Sequence, residues 1–301
     1  MASEQAKFYD QMFIEMRKLA PKTLEEQRAE GAARPLPPET DRVKITEVVL
    51  SGVDGEILEN TTEKAVPDRV ILYIHGGGFT TGAARERRSI TQYICDTYGY
   101  TIYANNYRLA PENCWPAPVE DCVTFYREML KTWDASQIVV AGESAGGTLV
   151  FSLPFQCQRE GLPLPRGIVS YSPCTNQAFS FPSIDDNAAT DYMIGGLINS
   201  EYQYETVFGQ KKPSQEYLRD PLISPFFGDF SQMPPVFLAA SASESLYDDA
   251  RILYARLKAE GHKTDCDWQK EVCHAYPIFP DIPESQETIR KSMEFVDSLF
   301  A

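Results

Sequence analysis

The chain has 301 residues, 43% of them hydrophobic and 24% charged, which fits one large globular domain and excludes a largely disordered protein. With 28 basic against 43 acidic residues, the net charge is −15; such a surface repels phosphate backbones and anionic membranes, so nucleic acid is excluded as a partner. No apolar run reaches membrane-spanning length. The seven cysteines (Cys95, Cys114, Cys122, Cys157, Cys174, Cys266 and Cys273) are odd in number and scattered, with no Cys-x-x-Cys pair. That argues against a disulfide framework or a zinc site and for a reducing compartment, taken here as the cytoplasm. The opening residues lack the basic-then-apolar pattern of a secretory signal.

Residues 4 to about 30 read as helical, with Phe8, Met12, Ile14, Met16 and Leu19 supplying an apolar face and Pro21 interrupting it. Gly31 to Thr40, with three prolines, reads as a linker. Val43 to Leu50 alternates as a strand does, and a short strand follows around Ile57. Arg69 to Ile74 is a continuous apolar run, as in a strand buried on both faces. A helix is expected over Arg88 to Tyr98, a strand over Tyr100 to Asn106, a helix over Pro118 to Thr132 and a strand over Gln137 to Ala141. After a further helix come strands at Gly167–Tyr171 and Pro235–Ala240, a helix over Asp248–Glu260 ended by Gly261, a strand at Thr264–Lys270 and a closing helix over Pro283–Leu299. Strands alternating with helices predict an α/β fold, a mostly parallel central sheet with helices on both faces, in a single domain spanning 1–301. From Phe179 to about Leu222 the alternation stops, and Tyr192-Met193-Ile194 and Tyr202-Gln203-Tyr204 predict short aromatic helices. This insertion, about 180–220, and the first 40 residues are the expected helical cap elements over the active site.

The chemistry centres on Gly142-Glu143-Ser144-Ala145-Gly146-Gly147, placed between a β-branched strand and a helix. Gly-x-Ser-x-Gly at such a turn is the nucleophile elbow, which lifts the serine Oγ clear of the strand end. The rival reading, an ordinary glycine-rich turn with a surface serine, loses ground once the other motifs are added. A serine hydroxyl needs a base, and there are three histidines. His262 follows Gly261 at a helix end and reads as a solvated turn residue. His75 opens His75-Gly76-Gly77-Gly78 straight after a strand, a stretch suited to presenting backbone N–H groups to an oxyanion; Gly76, Gly77 and Ala145 are the expected donors. His75 then anchors that loop, which leaves His274, after the last strand, as base. The third member is a carboxylate beyond a strand end. Glu244 is the first acid after Pro235–Ala240, and Asp248 is the alternative. Phe79 is expected to line the acyl pocket, with packing an equal reading, and Arg108 and Glu112 to form a polar pair bracing the oxyanion loop. Neither a metal nor an organic cofactor is required.

Together, His75-Gly76-Gly77-Gly78, Tyr107-Arg108-Leu109-Ala110-Pro111-Glu112, the Ser144 elbow and the late His274 resemble the hormone-sensitive-lipase-like family of α/β-hydrolase carboxylesterases, from about Val70 to the C-terminus. The resemblance implies a serine carboxylesterase that cleaves short- to medium-chain acyl esters through an acyl-enzyme beneath a helical cap, on a small-molecule substrate. The chain departs from the family pattern in two places. Glu143 stands where aspartate usually precedes the serine, and Glu244-Ser245-Leu246-Tyr247-Asp248 replaces Asp-Pro-Leu-x-Asp. The alternatives are hydrolysis of lactones, N-acyl amides or carbamates by the same machinery, or a non-catalytic ligand-binding protein on this fold. A homo-oligomer is compatible with the sequence.

Overall fold

The computed structural model describes residues 2–301. Eight strands form one sheet in the order β1-β2-β4-β3-β5-β6-β7-β8. The hairpin β1 (Val43–Leu50) and β2 (Val53–Asn60) is antiparallel and joins β4 (Tyr100–Asn105) antiparallel. The remaining pairings are parallel, through β3 (Val66–Ile74), β5 (Ile138–Glu143), β6 (Gly167–Tyr171), β7 (Val236–Ser241) and β8 (Thr264–Gln269).

Residues 70–74, 138–141 and 236–240 of the central strands are apolar at every position because both faces are covered. Leu72, Ile74, Val140 and Leu238 point to one core, and Ile71, Tyr73, Val139 and Phe237 to the other, as period-two geometry requires. On the first face lie α4 (Ala117–Met129), α5 (Ala145–Glu160) and α9 (Tyr247–Ala259); on the second lie α3 (Arg88–Tyr98) and α10 (Pro283–Ser298). Each fully buried aliphatic or aromatic side chain contributes about 1.5–3 kcal/mol through loss of apolar surface from water. That burial, rather than helix propensity, holds the layers together.

The chain leaves β3 for β4 on one side and later enters β5 on the other. The ends of β3 and β5 therefore flank a crevice at the switch in strand order, where ligands bind in open α/β sheets. Ile74 pairs with Gly142, so the loops after both strands leave the sheet side by side.

The first helical stretch is two helices rather than one. In α1 (Glu4–Arg17), Ser3 caps the start; in α2 (Leu24–Ala33), Thr23 and Glu26 form a capping box. The break at Pro21 is the expected one, but α2 runs on into the stretch read as linker. In the insertion, α6 (Ser183–Asp186), α7 (Ser200–Phe208) and α8 (Gln215–Leu218) are short, and residues 192–194 form turns instead of a helix. The reason lies in Asp191, whose Oδ1 accepts from the amides of Met193 and Ile194, an Asx-type arrangement that competes with helical bonding. No helix among the described residues is long and apolar enough to cross a membrane.

Candidate active site

Ser144 sits between β5 and α5 at φ 55°, ψ −120°, a conformation L-residues seldom adopt. Its neighbours enforce the strain. A Cβ on Gly146 would lie 2.0 Å from the Ile74 carbonyl oxygen, so no other residue fits between the elbow and β3. The Ser144 amide donates to Tyr171 O over 2.9 Å, and the hydroxyl stands partly open at the strand end.

His274, in the loop after β8, is buried and brings Nε2 to 2.9 Å from Ser144 Oγ. Glu244, in the loop after β7, is fully buried, and its Oε1 lies 3.6 Å from His274 Nδ1. That separation is an ion-pair contact too long for a hydrogen bond; apo sites of this kind tighten when substrate binds. Burial opposes a charge on His274, but Glu244 first, with the Asp191 and Glu143 carboxylates adding to it, outweighs that effect, so the imidazole is held above its ordinary value of 6.5. Burial also pushes the Glu244 carboxyl up, against the charge of His274 and a hydrogen bond from Ser172. Asp248, the alternative acid, is engaged elsewhere: it accepts from the Ser183 amide and pairs with Arg251.

Ser172, at φ 48° just past β6, was not legible as a site residue. Its hydroxyl donates to Glu244 Oε2 over 2.8 Å and accepts from the Ala275 amide over 3.1 Å. One side chain thus ties the acid to the backbone beside His274, turning the other carboxylate oxygen towards the imidazole.

The glycine loop requires a correction. The Gly76 amide donates to Glu143 Oε1 over 2.5 Å, so it has no donor to spare for an oxyanion. The amides of Gly77, Gly78 and Ala145 have no partner among the described residues. Gly77 holds φ 123°, and a Cβ there would lie 2.2 Å from the Thr81 carbonyl oxygen. The loop closes on itself through Thr80 and Thr81 amides donating to Gly77 O.

Glu143 anchors this loop from behind. Besides Gly76, it accepts from Tyr73 Oη over 2.7 Å and from Arg87 Nε over 2.6 Å, all of it buried. A buried acid demands a buried cation, and the Arg-Glu-Arg-Arg run at 85–88 was the sequence signal that could have supplied it. His75 stacks on Tyr107 with ring centroids 4.2 Å apart, and burial pushes its imidazole down to about 3, so it stays neutral. It anchors the loop, as expected. His262 donates from Nε2 to Met233 O over 3.0 Å and is half-buried instead of solvated.

Two further expectations change. Arg108 and Glu112 do not pair. Arg108 binds Asp121 over 2.8 Å, and Glu112 binds Arg28 of α2 over 2.8 Å. Arg28 also donates to Thr80 O and Ala110 O, tying α2 to the back of the glycine loop. Phe79 is 2% exposed and packs edge-on against Trp115 at 5.6 Å, part of the core under the glycine loop. Packing therefore accounts for it, and it presents almost no surface to an acyl chain. Among the described residues no cluster of histidine, cysteine and carboxylate side chains has a metal-binding arrangement.

Residues 71–278 match the model of a family described as alpha/beta hydrolase fold. An acetyl-hydrolase of Streptomyces hygroscopicus is 30% identical over 236 residues, 76% of this chain and 75% of that protein. The esterase LipU of Mycobacterium tuberculosis is 28% identical over 76% of this chain and 77% of its own length. Among solved structures, an esterase from the bacterial hormone-sensitive lipase family superposes over 100% of both chains with a TM-score of 0.86 and 31% identity. An esterase structure soaked with p-nitrophenyl butyrate superposes over 99% of both with a TM-score of 0.88 and 26% identity. The chain belongs to the alpha/beta hydrolase fold family, as one of its hormone-sensitive-lipase-like carboxylic ester hydrolases.

Proposed function

We propose that this chain is a serine carboxylesterase acting on short- to medium-chain acyl esters, with Ser144 as nucleophile, His274 as base and Glu244 as the acid that orients it. The observation carrying the reading is the 2.9 Å contact between Ser144 Oγ and His274 Nε2, beside three unpaired backbone amides. With its proton on Nδ1 facing Glu244, a neutral imidazole accepts the Ser144 proton at Nε2 as Oγ bonds to the ester carbonyl carbon. The amides of Gly77, Gly78 and Ala145 receive the oxyanion; each such donor is worth about 100- to 1000-fold in rate. The ester C–O bond then breaks, and the alcohol leaves with the proton from Nε2. Water attacks the acyl-enzyme, gives its proton to His274, and the acid departs as Ser144 regains a proton. Glu244 remains a carboxylate throughout.

The first 40 residues and about 180–220 act as a cap in this reading. Phe8, Met16, Leu19, Leu197 and Tyr202 are exposed on these segments, an apolar exterior suited to apolar acyl chains. A negatively charged chain with seven free cysteines supports a small-molecule esterase of the reducing cytoplasm, without nucleic acid as a partner.

A panel of p-nitrophenyl acetate, butyrate and octanoate, an acyl lactone and an anilide tests the substrate class. Butyrate turnover above acetate, abolished by Ser144→Ala, is the expected result. Turnover of the lactone or the anilide in preference to every ester, or strict acetate preference, would contradict it.

A further inference from the structure

The loop bearing Glu244 closes turns of its own, with the Glu244 amide donating to Ser241 O and the Tyr247 amide to Glu244 O, and it is also held from outside. Four consecutive carbonyls, from Ala242 to Ser245, accept hydrogen bonds from side chains of a single short stretch of the insertion. Asn187 Nδ2 donates to Ala242 O over 3.1 Å and to Glu244 O over 2.9 Å. Thr190 Oγ1 donates to Ser243 O over 2.9 Å, and Ser183 Oγ to Ser245 O over 2.8 Å. Asp191 completes the set: it is buried, and its Oδ2 accepts from the Ser245 amide over 2.8 Å. A proline at position 245 would carry no such N–H; serine does, and buried as it is it needs a partner.

We propose that residues 183–191 are a strap that positions Glu244 against His274, with Asn187 and Asp191 as positioning residues of the reaction. The proposal rests on the reading of Glu244 as the triad acid. The strap belongs to the insertion that was expected only to cover substrate, and it acts on the side of the site away from the glycine loop. Arg17 of α1 extends it, donating through Nη2 to Asp191 O over 3.0 Å and Gly195 O over 2.7 Å. Two parts of the cap are thereby joined to the carboxylate that orients the base.

The geometry sets the size of the effect. Glu244 Oε1 already stands 3.6 Å from His274 Nδ1, so a loop free to retreat loses the contact altogether. Misplacement by about 1 Å typically costs on the order of 100-fold in a catalytic constellation. Asn187 is suited to the test because its amide makes both bonds to the loop, and aspartate, nearly the same shape, turns two donors into acceptors facing carbonyls.

The experiment measures kcat and KM on p-nitrophenyl butyrate for Asn187→Asp, Asn187→Ala and Asp191→Asn, each in wild type and in Glu244→Gln, with thermal melting to establish that each variant is folded. The strap predicts kcat lower by about 10- to 100-fold with KM within about twofold of wild type. In the Glu244→Gln background the same substitutions change kcat by less than about threefold, because a residue acting through Glu244 has nothing left to position. Folded Asn187 and Asp191 variants with wild-type kcat would overturn the proposal, as would a full additional loss on top of Glu244→Gln. If the Asn187 variants do not fold, Asp191→Asn decides by the same two readouts. Wild-type kcat in Glu244→Gln itself would instead overturn the triad reading.

Discussion

The amide of Gly76 donates to the carboxylate of Glu143, the residue immediately before Ser144. This bond fastens the glycine loop after β3 to the elbow after β5, and it fixes which amides of that loop remain unpaired. Arg87 and Tyr73 complete the shell around the same carboxylate. The glycine loop and the turn bearing Ser144 are therefore fastened together around a buried ion pair.

Removing the Glu143 carboxylate leaves Arg87 charged and buried, with only the 4.0 Å contact of its Nη1 to Glu86 Oε2. Breaking one partner of such a pair costs about 3–5 kcal/mol, whereas replacing both by apolar residues is often near neutral. Glu143→Met is expected to lower the urea unfolding midpoint markedly, and Glu143→Met/Arg87→Met to recover much of that loss. Turnover should fall in both, because the Gly76 amide has lost its tether. Wild-type turnover in the double variant would show that the tether does not place the loop.

The pH dependence follows from His274. In the proposed mechanism the imidazole must be neutral to accept the Ser144 proton, and Glu244, with Asp191 and Glu143 adding to it, holds it above 6.5 against the opposing effect of burial. As pH falls, kcat/KM should decline through a pKa above 6.5. Glu244→Gln removes the charge that favours the imidazolium, so the acid limb moves to lower pH, while the rate drops by orders of magnitude, about 10,000-fold in the serine-protease template. A pH–rate profile of both proteins reads the shift; an acid limb that stays in place or moves up would contradict the pairing.

How much of this was legible in sequence divides along physical lines. The strands, their alternation with helices and the elbow came through because a buried parallel sheet leaves continuous β-branched runs such as Val139-Val140 and Val70-Ile71-Leu72. The proximity of Ser144, Glu244 and His274 followed from loop position at strand ends. The bonding of individual amides did not. That Gly76 is taken and Gly78 is free depends on the length of the Glu143 side chain and on the turn at Gly77, neither of which leaves a pattern along the chain. The partners of Arg108 and Glu112 were missed for the same reason: Arg28 lies far away in sequence and reaches Glu112 only through the docking of α2. Ser172 is one serine among many until its strained backbone is seen.

Asp249 provides a test through stability. Burial pushes its carboxyl up to about 7, against hydrogen bonds from the Asn176 and Thr175 amides and with the Glu244 charge adding to the rise. The folded state therefore holds a proton that the unfolded chain, with an ordinary value of 3.8, releases. Its contribution to stability is full below about 4 and is lost as pH rises through about 7. Asp249→Asn cannot ionise, so its unfolding free energy should decline less than that of wild type between those limits. Chemical denaturation at a series of pH values measures it; identical slopes would show that Asp249 does not titrate there.

The central claim is that Ser144 is made nucleophilic by His274. Trapping with diethyl p-nitrophenyl phosphate, followed by intact-mass measurement and peptide mapping, tests it most directly. The account predicts one diethyl phosphoryl adduct per chain, located on Ser144, with one p-nitrophenol released for each, and trapping slowed by orders of magnitude in His274→Ala. An adduct on any other residue, or His274→Ala trapped as fast as wild type, would contradict it.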